Sequence, residues 1–246
     1  MPDAGFWRPT VIRLRRVDST QDWVRDWAQM GAREGLILIA REQIAGRGRL
    51  DHRWESPPGG LYLSLLLRPA ISLTQVNQLI MLVSLAAIDA CQAVAGVKAR
   101  PKWPNDLLLD GKKLAGALTE LAGARRPDYV VIGLGLNVNN DFTGGPLAES
   151  AISLRASAGR RFDVDDVATA FIRAFGRRYA VFLRGESPHR AWAENLEPLG
   201  RRVAVHRIHH PPLLGVAEDV SPEGALLVRD DAGELHTVWA GDVVIA

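Results

Sequence analysis

The stretch Gln43-Ile-Ala-Gly-Arg-Gly-Arg-Leu-Asp-His-Arg-Trp54 carries an unusual alternation of glycine and arginine. Gly46 and Gly48 alternate with Arg47 and Arg49. Glycine lets the backbone adopt positive φ and come close to a ligand, and guanidinium groups suit phosphate and carboxylate oxygens. The stretch therefore predicts a mobile loop that grips an anion and closes over a phosphate-bearing ligand. A solvated basic surface loop is the alternative.

The flanking sequence favours the functional interpretation. Residues 36–40 predict a buried strand, and residues 61–67 predict a second strand with leucines on one face. About 20 residues thus connect two strands, and structureless connections of that length are uncommon and usually functional.

Composition limits the class of protein. The chain has 246 residues, 47% of them hydrophobic, and a formal net charge of +2. This is enough chain for a sizeable core, and the near-neutral balance argues against bulk binding of nucleic acid. Cys91 is the single cysteine, which excludes an internal disulfide and predicts a reducing, cytoplasmic setting. The chain start shows no signal-peptide pattern, and polar residues within the apolar stretch 76–94 indicate a core helix rather than a membrane span.

The remaining pattern predicts an α+β fold. Strands are expected at 10–16, 107–109, 114–121 and 129–138, with an Asp110-Gly111 hairpin turn. Helices are expected after Asp18-Ser19-Thr20, over 74–95, from Asp163 onward and around 188–195. Residues 99–106 are interrupted by prolines and predict no regular element.

The pattern of predicted elements changes near residues 196–200. Short strands separated by turn residues are expected at 203–205, 213–220, 225–228, 235–239 and 243–245. These predict a small all-β domain over residues 198–246 after a larger domain over residues 1–197.

A second functional stretch is Lys102-Trp-Pro-Asn-Asp106, followed across the hairpin by Lys113. Lysine is a common phosphate partner, and Asn105 and Asp106 offer oxygen ligands of the kind that Mg²⁺ accepts. Lys113 is expected to face the same region as Lys102, so that the arginine loop and the two lysines form one cationic site. A solvent-facing lysine in a turn is the alternative.

Other kinds of site lack their residues. The sequence has no Walker A motif, no cysteine pair for zinc and no GxSxG turn. Gly133-Leu-Gly-Leu-Asn137 is not followed by a helical pattern, which excludes a dinucleotide fingerprint. A cationic site with a lid and no nucleophile suits the attack of a carboxylate on a triphosphate, because cations offset the repulsion between the two anions. A lid also protects a hydrolysable acyl-adenylate from water.

These residues, in this order and spacing, resemble biotin protein ligases over almost the whole chain. The resemblance rests on Asp18-Ser-Thr20, Gln43, Ala45-Gly-Arg-Gly-Arg49, Trp54, Lys102-Trp-Pro-Asn-Asp106, Lys113-Leu-Ala-Gly116 and Gly133-Leu-Gly-Leu-Asn137. It implies a catalytic domain similar to class II synthetases, with a mixed or antiparallel central sheet flanked by helices, and a small C-terminal barrel similar to Src-homology-3 domains. It also implies formation of biotinyl-5′-AMP from biotin and ATP with Mg²⁺, and transfer of biotin to a lysine on the biotin carboxyl carrier domain of acetyl-CoA carboxylase.

The resemblance also implies roles for individual residues. Catalysis would fall to Arg47, Lys113 and Lys102. The biotin-binding residues would be Ser19, Thr20, Gln43, Gly46, Arg47, Lys113, Gly116, Gly133 and Leu136. The ATP and adenylate contacts would be Arg47, Gly48, Arg49, Trp54, Lys102, Asn105 and Asn137. Metal ligands are not assigned.

The chain departs from the family pattern at Gln21, Ile44 and Leu50-Asp51-His52. The catalytic pattern begins within about 15 residues of Met1, so we expect a form without the N-terminal DNA-binding domain that some family members carry, acting as a monomer or homodimer. A lipoate–protein ligase and a DNA-binding regulator are the rival hypotheses. The loop at 43–54 is expected to be open or disordered until ligand binds.

Overall fold

The computed structural model describes residues 7–49 and 52–245. Its larger sheet has seven strands in the order β1-β2-β3-β7-β6-β5-β4. The strands are β1 Thr10–Val17, β2 Leu36–Gln43, β3 Leu61–Leu67, β4 Arg100–Lys102, β5 Asp106–Leu109, β6 Lys112–Ala122 and β7 Tyr129–Leu136. Only β1 and β2 run parallel among these paired strands, so the sheet is mixed, as expected for the predicted α+β fold.

Helices cover both faces of this sheet. Helix α1 (Thr20–Gln29) packs on one face, where Val24 and Ala28 meet Leu38, Leu66 and Val131. Helices α2 (Val76–Ala95) and α4 (Val164–Phe182) cover the other face. Strand β3 is buried along its whole length, because its alternate side chains point into these two layers.

The leucine alternation of β3 positions the main core. Leu61, Leu63, Leu65 and Leu67 lie in the same hydrophobic cluster as α2 and α4, as the alternation predicted. The other side of the strand carries Ser64, which reaches the polar end of the sheet instead.

Helix α2 and the short 3₁₀ turn before it, Leu73–Gln75, form the one segment of the described chain that is long and apolar enough to cross a membrane. Many of its side chains pack in the core against α4 and the sheet, and Cys91 is fully buried there. Burial raises the pKa of the Cys91 thiol to about 12, which makes it unreactive at neutral pH. The helix is therefore a core helix of this fold.

Two local differences from the sequence-based expectation occur around residues 99–106 and 154–158. The proline-rich segment contains the short edge strand β4, where Pro101 is tolerated because an edge strand need not donate every N–H to a neighbour. Helix α3 (Leu154–Ala158) was not expected, because one short turn carries too little periodicity to detect. Its N-cap residue is Ser153, whose side chain accepts a hydrogen bond from Ala156 N.

The C-terminal part forms a five-stranded antiparallel sheet in the order β11-β10-β9-β8-β12. Its strands are β8 Arg202–His206, β9 Leu213–Val220, β10 Leu226–Asp230, β11 Leu235–Val238 and β12 Asp242–Ile245. This confirms the predicted all-β domain. It follows the short helix α5 (His189–Ala193), and Trp192 and Leu196 join its core to Trp103 and Met81 of the larger domain. The division at residues 197 and 198 stays a prediction.

Candidate functional site

A cavity of about 390 Å³ lies between the start of α1, the glycine/arginine loop and strands β6 and β7. Most of the residues proposed from the sequence line it. They are Ser19, Thr20, Gln43, Arg47, Gly48, Arg49, Trp54, Asn105, Lys113, Gly116, Gly133 and Asn137. The fold thus brings together residues separated by more than 100 positions in the sequence.

The glycine/arginine loop folds into a narrow ribbon beside this cavity. Gln43 pairs with Ser56 and Arg47 with Arg53 in isolated antiparallel bridges. A Cβ on Gly46 would lie 2.3 Å from the carbonyl oxygen of Trp54, so this position requires glycine. The described residues of the ribbon are 43–49 and 52–54. Leu50 and Asp51, where the sequence departs from the family pattern, lie outside the described residues. The expected opening of the loop without ligand stays a prediction.

The orientation of two glutamine amides sets the polarity of one end of the cavity. The Nε2 atom of Gln21 lies 3.1 Å from Val131 O and 3.5 Å from Leu118 O. Because carbonyl oxygens only accept, the amide group must face them, and Gln21 Oε1 accepts from the Ser64 hydroxyl at 3.1 Å. The hydrogen of Ser64 is therefore already used.

The neighbouring Gln43 is oriented in the same way. Its Oε1 accepts from the backbone N–H of Thr20 at 2.8 Å, and its Nε2 donates to Ser56 Oγ at 2.9 Å. The Thr20 hydroxyl lies 2.9 Å from both Gln43 Oε1 and Ser64 Oγ, and either one takes its hydrogen. Thr20 can then only accept a hydrogen bond from a ligand.

The same end of the cavity offers donors as well. Among the described residues, the second hydrogen on Gln43 Nε2 has no acceptor, and the buried hydroxyl of Ser19 has no partner. Ser19 precedes α1 as its N-cap residue but makes no side-chain capping bond. A buried hydroxyl without a partner costs about 1–3 kcal/mol, which a bound polar ligand would recover. This end of the cavity therefore presents one acceptor beside two donors.

Trp54 lines the cavity, and glycines leave space for its ring. A Cβ on Gly135 would lie 2.3 Å from Trp54 Nε1, and a Cβ on Gly116 would lie 3.3 Å from Trp54 Cζ3. Gly133 makes room for another side chain, since a Cβ there would lie 2.7 Å from Gln21 Oε1. Three glycines of β6 and β7 thus allow large side chains to lie flat on the sheet.

Cations and carboxylates alternate along the other wall. Lys113 Nζ lies 2.8 Å from Asp106 Oδ1 and 5.3 Å from the centre of the Trp54 ring. Arg49 donates to Asn105 Oδ1 at 3.2 Å and to Gly241 O at 3.4 Å, and Asp242 is 4.0 Å away. Arg47 instead pairs with carboxylates of α1 and β6. Its guanidinium lies 2.7 Å from Asp22 and 2.6 Å from Glu120.

Three of the proposed residues are not placed in the cavity wall. Lys102 lies on the edge strand β4 and is absent from the cavity lining. The sequence analysis expected Lys102 and Lys113 to face one region, but only Lys113 lines this cavity. Leu136 is fully buried in the main core, because it alternates with Gly133 and Gly135 along β7 and points away from the cavity. Gly46 is buried within the ribbon and lines a second, neighbouring pocket instead.

Several lining residues had no assigned role in the sequence analysis. Gln21 and Ser64 belong to the polar end, and a serine within an otherwise apolar strand was the signal for Ser64. At the other end the lining includes Phe142, Leu147 and Ala151, from a segment between β7 and α3 that has no recognisable pattern. Asp242 comes from the C-terminal domain, which no local pattern connects to the loop.

Tyr62 secures the return path of the loop. Its hydroxyl donates to Pro57 O at 2.7 Å and accepts from Asn140 Nδ2 at 3.0 Å. Burial raises the pKa of Tyr62 to about 12, with hydrogen bonds from Asn140 acting in the opposite direction. The phenol therefore stays protonated and keeps donating at neutral pH.

Known proteins resemble this chain in sequence and in fold. The model of the biotin/lipoate A/B protein ligase family matches residues 14–137, and that of the biotin protein ligase C terminal domain matches residues 199–245. A biotin–[acetyl-CoA-carboxylase] ligase of Paracoccus denitrificans is 33% identical over 228 residues, 89% of this chain and 94% of that protein. The chain belongs to the biotin protein ligase family. It is thus a ligase, as the motifs indicated.

Further members of the biotin protein ligase family agree in sequence and fold. The bifunctional ligase/repressor BirA of Bacillus spizizenii is 33% identical over 233 residues, which is 92% of this chain and 71% of that protein. The biotin protein ligase of Aquifex aeolicus, solved in complex with biotin and ATP, superimposes with a TM-score of 0.81 at 26% identity. That superposition covers 96% of this chain and 98% of the Aquifex chain.

Proposed function

We propose that the chain activates biotin with ATP to form biotinyl-5′-AMP and transfers the biotinyl group to a lysine of a biotin carboxyl carrier domain. The donor and acceptor pattern at the polar end of the cavity carries this proposal. A cyclic urea presents N–H groups beside a carbonyl oxygen. Thr20 Oγ1 accepts, while Gln43 Nε2 and Ser19 Oγ can donate, which matches that pattern.

The same pattern separates biotin from lipoate. The dithiolane ring of lipoate has no N–H or carbonyl group, so it would leave the buried hydroxyl of Ser19 without a partner and would give Thr20 Oγ1 no hydrogen to accept. A site built to hydrogen-bond its substrate rejects an analogue without the matching groups by about 10⁴-fold or more. The Aquifex protein was solved with biotin and ATP, which supports the same ligands here.

Lys113 and Arg49 are the cations best placed for the reacting groups. Both line the cavity, Lys113 next to Asp106 and Arg49 next to Asn105. Each unit charge pair at 4 Å contributes about 4 kcal/mol at an effective dielectric constant near 20, which is enough to offset much of the repulsion between a carboxylate and the α-phosphate. The carboxylate oxygen of biotin then bonds to the α-phosphorus, and pyrophosphate leaves.

The oxygens of Asn105, Asp106 and Asp242 line this part of the cavity and suit a hard cation. They would hold Mg²⁺ together with the phosphates, and Mg²⁺ supplies neutralisation of phosphate charge. Asp106 is already paired with Lys113, so the protein offers few free carboxylates of its own and relies on the nucleotide for most ligands.

Trp54 and the apolar end formed by Phe142, Leu147 and Ala151 are suited to the adenosine portion of the adenylate. Asn137, whose Nδ2 donates to Lys113 O at 3.3 Å, connects this end to the lysine strand. In the second step the uncharged amine of the acceptor lysine bonds to the acyl carbon. The acyl–phosphate C–O bond breaks, AMP leaves, and the amine proton passes to solvent.

The test is a transfer assay with the full chain, Mg²⁺, ATP and a biotin carboxyl carrier domain. We expect biotin, and not lipoate, to add its acyl mass to the carrier, and replacement of the acceptor lysine by arginine to abolish the addition. A lipoyl adduct without a biotinyl adduct would overturn the proposal in favour of a lipoate–protein ligase.

A further inference from the structure

Four charged side chains form an alternating cluster between the loop ribbon and the cavity wall. Arg47 lies 2.7 Å from Asp22 and 2.6 Å from Glu120, and Arg25 lies 2.7 Å from Asp22 and 3.6 Å from Glu120. We call these four residues the latch cluster. Its two arginines and two carboxylates balance in charge, so it is complete without an added anion.

The latch cluster joins three separate elements of the site. Arg47 belongs to the ribbon, Asp22 and Arg25 to α1, and Glu120 to β6. Helix α1 also supplies Thr20 and Gln21 to the cavity, and β6 supplies Gly116 to Leu118. The ion pairs of Arg47 thus connect the ribbon to α1 and to β6, two elements that both line the cavity.

The cluster is more protected than an ordinary surface pair. The side chains of Arg47, Asp22 and Glu120 retain only 40%, 32% and 23% of their exposure. Glu120 Oε2 is itself inaccessible and has no hydrogen-bond partner among the described residues. Partial burial and the network geometry strengthen such pairs relative to isolated exposed ones, which contribute about 0–1 kcal/mol.

We propose that Asp22 and Glu120 are positioning residues that act through Arg47 to hold the ribbon closed over the bound acyl-adenylate. Neither carboxylate is among the residues that line the cavity. Their carboxylates fix the Arg47 guanidinium, and the backbone of Arg47 and Gly48 follows it against the cavity. This inference rests on the proposed function for the identity of the retained ligand, but the closure itself does not depend on that identity.

The first measurement uses the ligand-free full chain, in which the latch cluster predicts a closed ribbon in place of the open or disordered loop expected from the sequence. Asp22→Asn and Glu120→Gln each remove a charge at constant size, and Asp26→Asn is the matched control. Asp26 lies on the same helix and pairs with Arg25 at 3.6 Å, but it makes no ion pair with Arg47 within the described residues. We expect hydrogen exchange at the amides of Gly48 and Trp54, which bond within the ribbon, to accelerate about 3- to 10-fold in the two test variants only.

The second measurement follows retention of ligand. Biotinyl-5′-AMP is formed in place from biotin and Mg·ATP, and its release is timed after a chase with excess unlabelled biotin. We expect release to be about 3- to 10-fold faster in Asp22→Asn and Glu120→Gln, and unchanged in Asp26→Asn. Added salt should speed release from the parent chain and have less effect on the variants.

Replacing Arg47 tests whether Asp22 acts on the ribbon only through this arginine. In an Arg47→Ala background, the further change Asp22→Asn should alter neither exchange nor release, because the carboxylate acts only through the arginine. Exchange and release that match the parent chain in both single variants would overturn the inference. A parent chain that makes no adenylate would instead overturn the proposed function, and the exchange measurement would still decide the latch cluster.

Discussion

At the scale of single residues, the orientation of amide and hydroxyl hydrogens decides which groups of the site can accept a hydrogen bond from a ligand. The carbonyls of Val131 and Leu118 orient Gln21, Gln21 orients Ser64, and Thr20 is left able only to accept from a ligand. Gln21 and Ser64 thus act on the ligand through Thr20. Sequence patterns identified Thr20 and Gln43 but gave Gln21 no role, because its partners lie 43 or more positions away in the chain.

Replacing Lys113 with alanine should slow adenylate formation by about 10²- to 10³-fold, since it removes a preorganised cation from the charge that develops at the α-phosphate. Single-turnover formation of adenylate measures this step directly. Lys112→Ala is the control, because Lys112 Nζ donates to Ala148 O and does not line the main cavity. Equal rates in the two variants would remove Lys113 from its proposed role.

At the scale of elements, strands β6 and β7 provide a flat surface for Trp54. The strands flanking the loop and the start of α1 were predictable, because alternation, helical spacing and capping residues are local signals. The placement of Lys102 outside the cavity was not predictable, because it depends on how the edge strand β4 pairs with β5. The ribbon's closure onto α1 and β6 is likewise a tertiary property.

Gly135→Ala should displace the Trp54 ring, because the new methyl group would lie 2.3 Å from the indole nitrogen. We expect the KM for ATP to rise about tenfold and the tryptophan emission to shift, with a smaller change in affinity for biotin. Gly145→Ala is the matched control, since its Cβ would meet only Phe142 O, at an ordinary 3.5 Å. An unchanged KM for ATP in Gly135→Ala would show that Trp54 does not border the nucleotide.

At the scale of the whole molecule, the C-terminal domain takes part in the cavity. Arg49 donates to Gly241 O across 192 positions of sequence, and Asp242 lines the same wall. No local pattern could reveal this contact, whereas the domain itself was evident from its short strands and turns. Its core also shares a cluster with Trp103 and Met81, which couples its stability to the larger domain.

Ion pairs within the C-terminal domain make its stability depend on pH. Hydrogen bonds from Arg229, His236 and Arg202 lower the pKa values of Glu218, Asp230 and Asp231, respectively. A carboxylate with a lowered pKa stabilises the fold above its unfolded-state pKa, and that contribution is lost as pH falls through the folded-state value. We therefore expect the C-terminal sheet to lose thermal stability as pH falls below about 4.5.

Thermal unfolding between pH 3 and 7 checks this expectation. Glu218→Gln should flatten the acid limb of the curve, because the substituted side chain no longer titrates, while Glu149→Gln serves as an exposed control. The same acid dependence in Glu218→Gln and the parent chain would contradict the assignment of this carboxylate.

The central claim is that the polar end of the cavity recognises a cyclic urea. Calorimetric titration of the full chain with biotin and with lipoate tests it most directly, with Thr20→Val as the variant that keeps side-chain size but removes the acceptor. We expect biotin to bind at least about 100-fold more tightly than lipoate, and Thr20→Val to reduce that preference by about 10-fold or more while keeping its affinity for lipoate. Equal affinities for biotin and lipoate in the parent chain, or a preference that survives intact in Thr20→Val, would contradict the account.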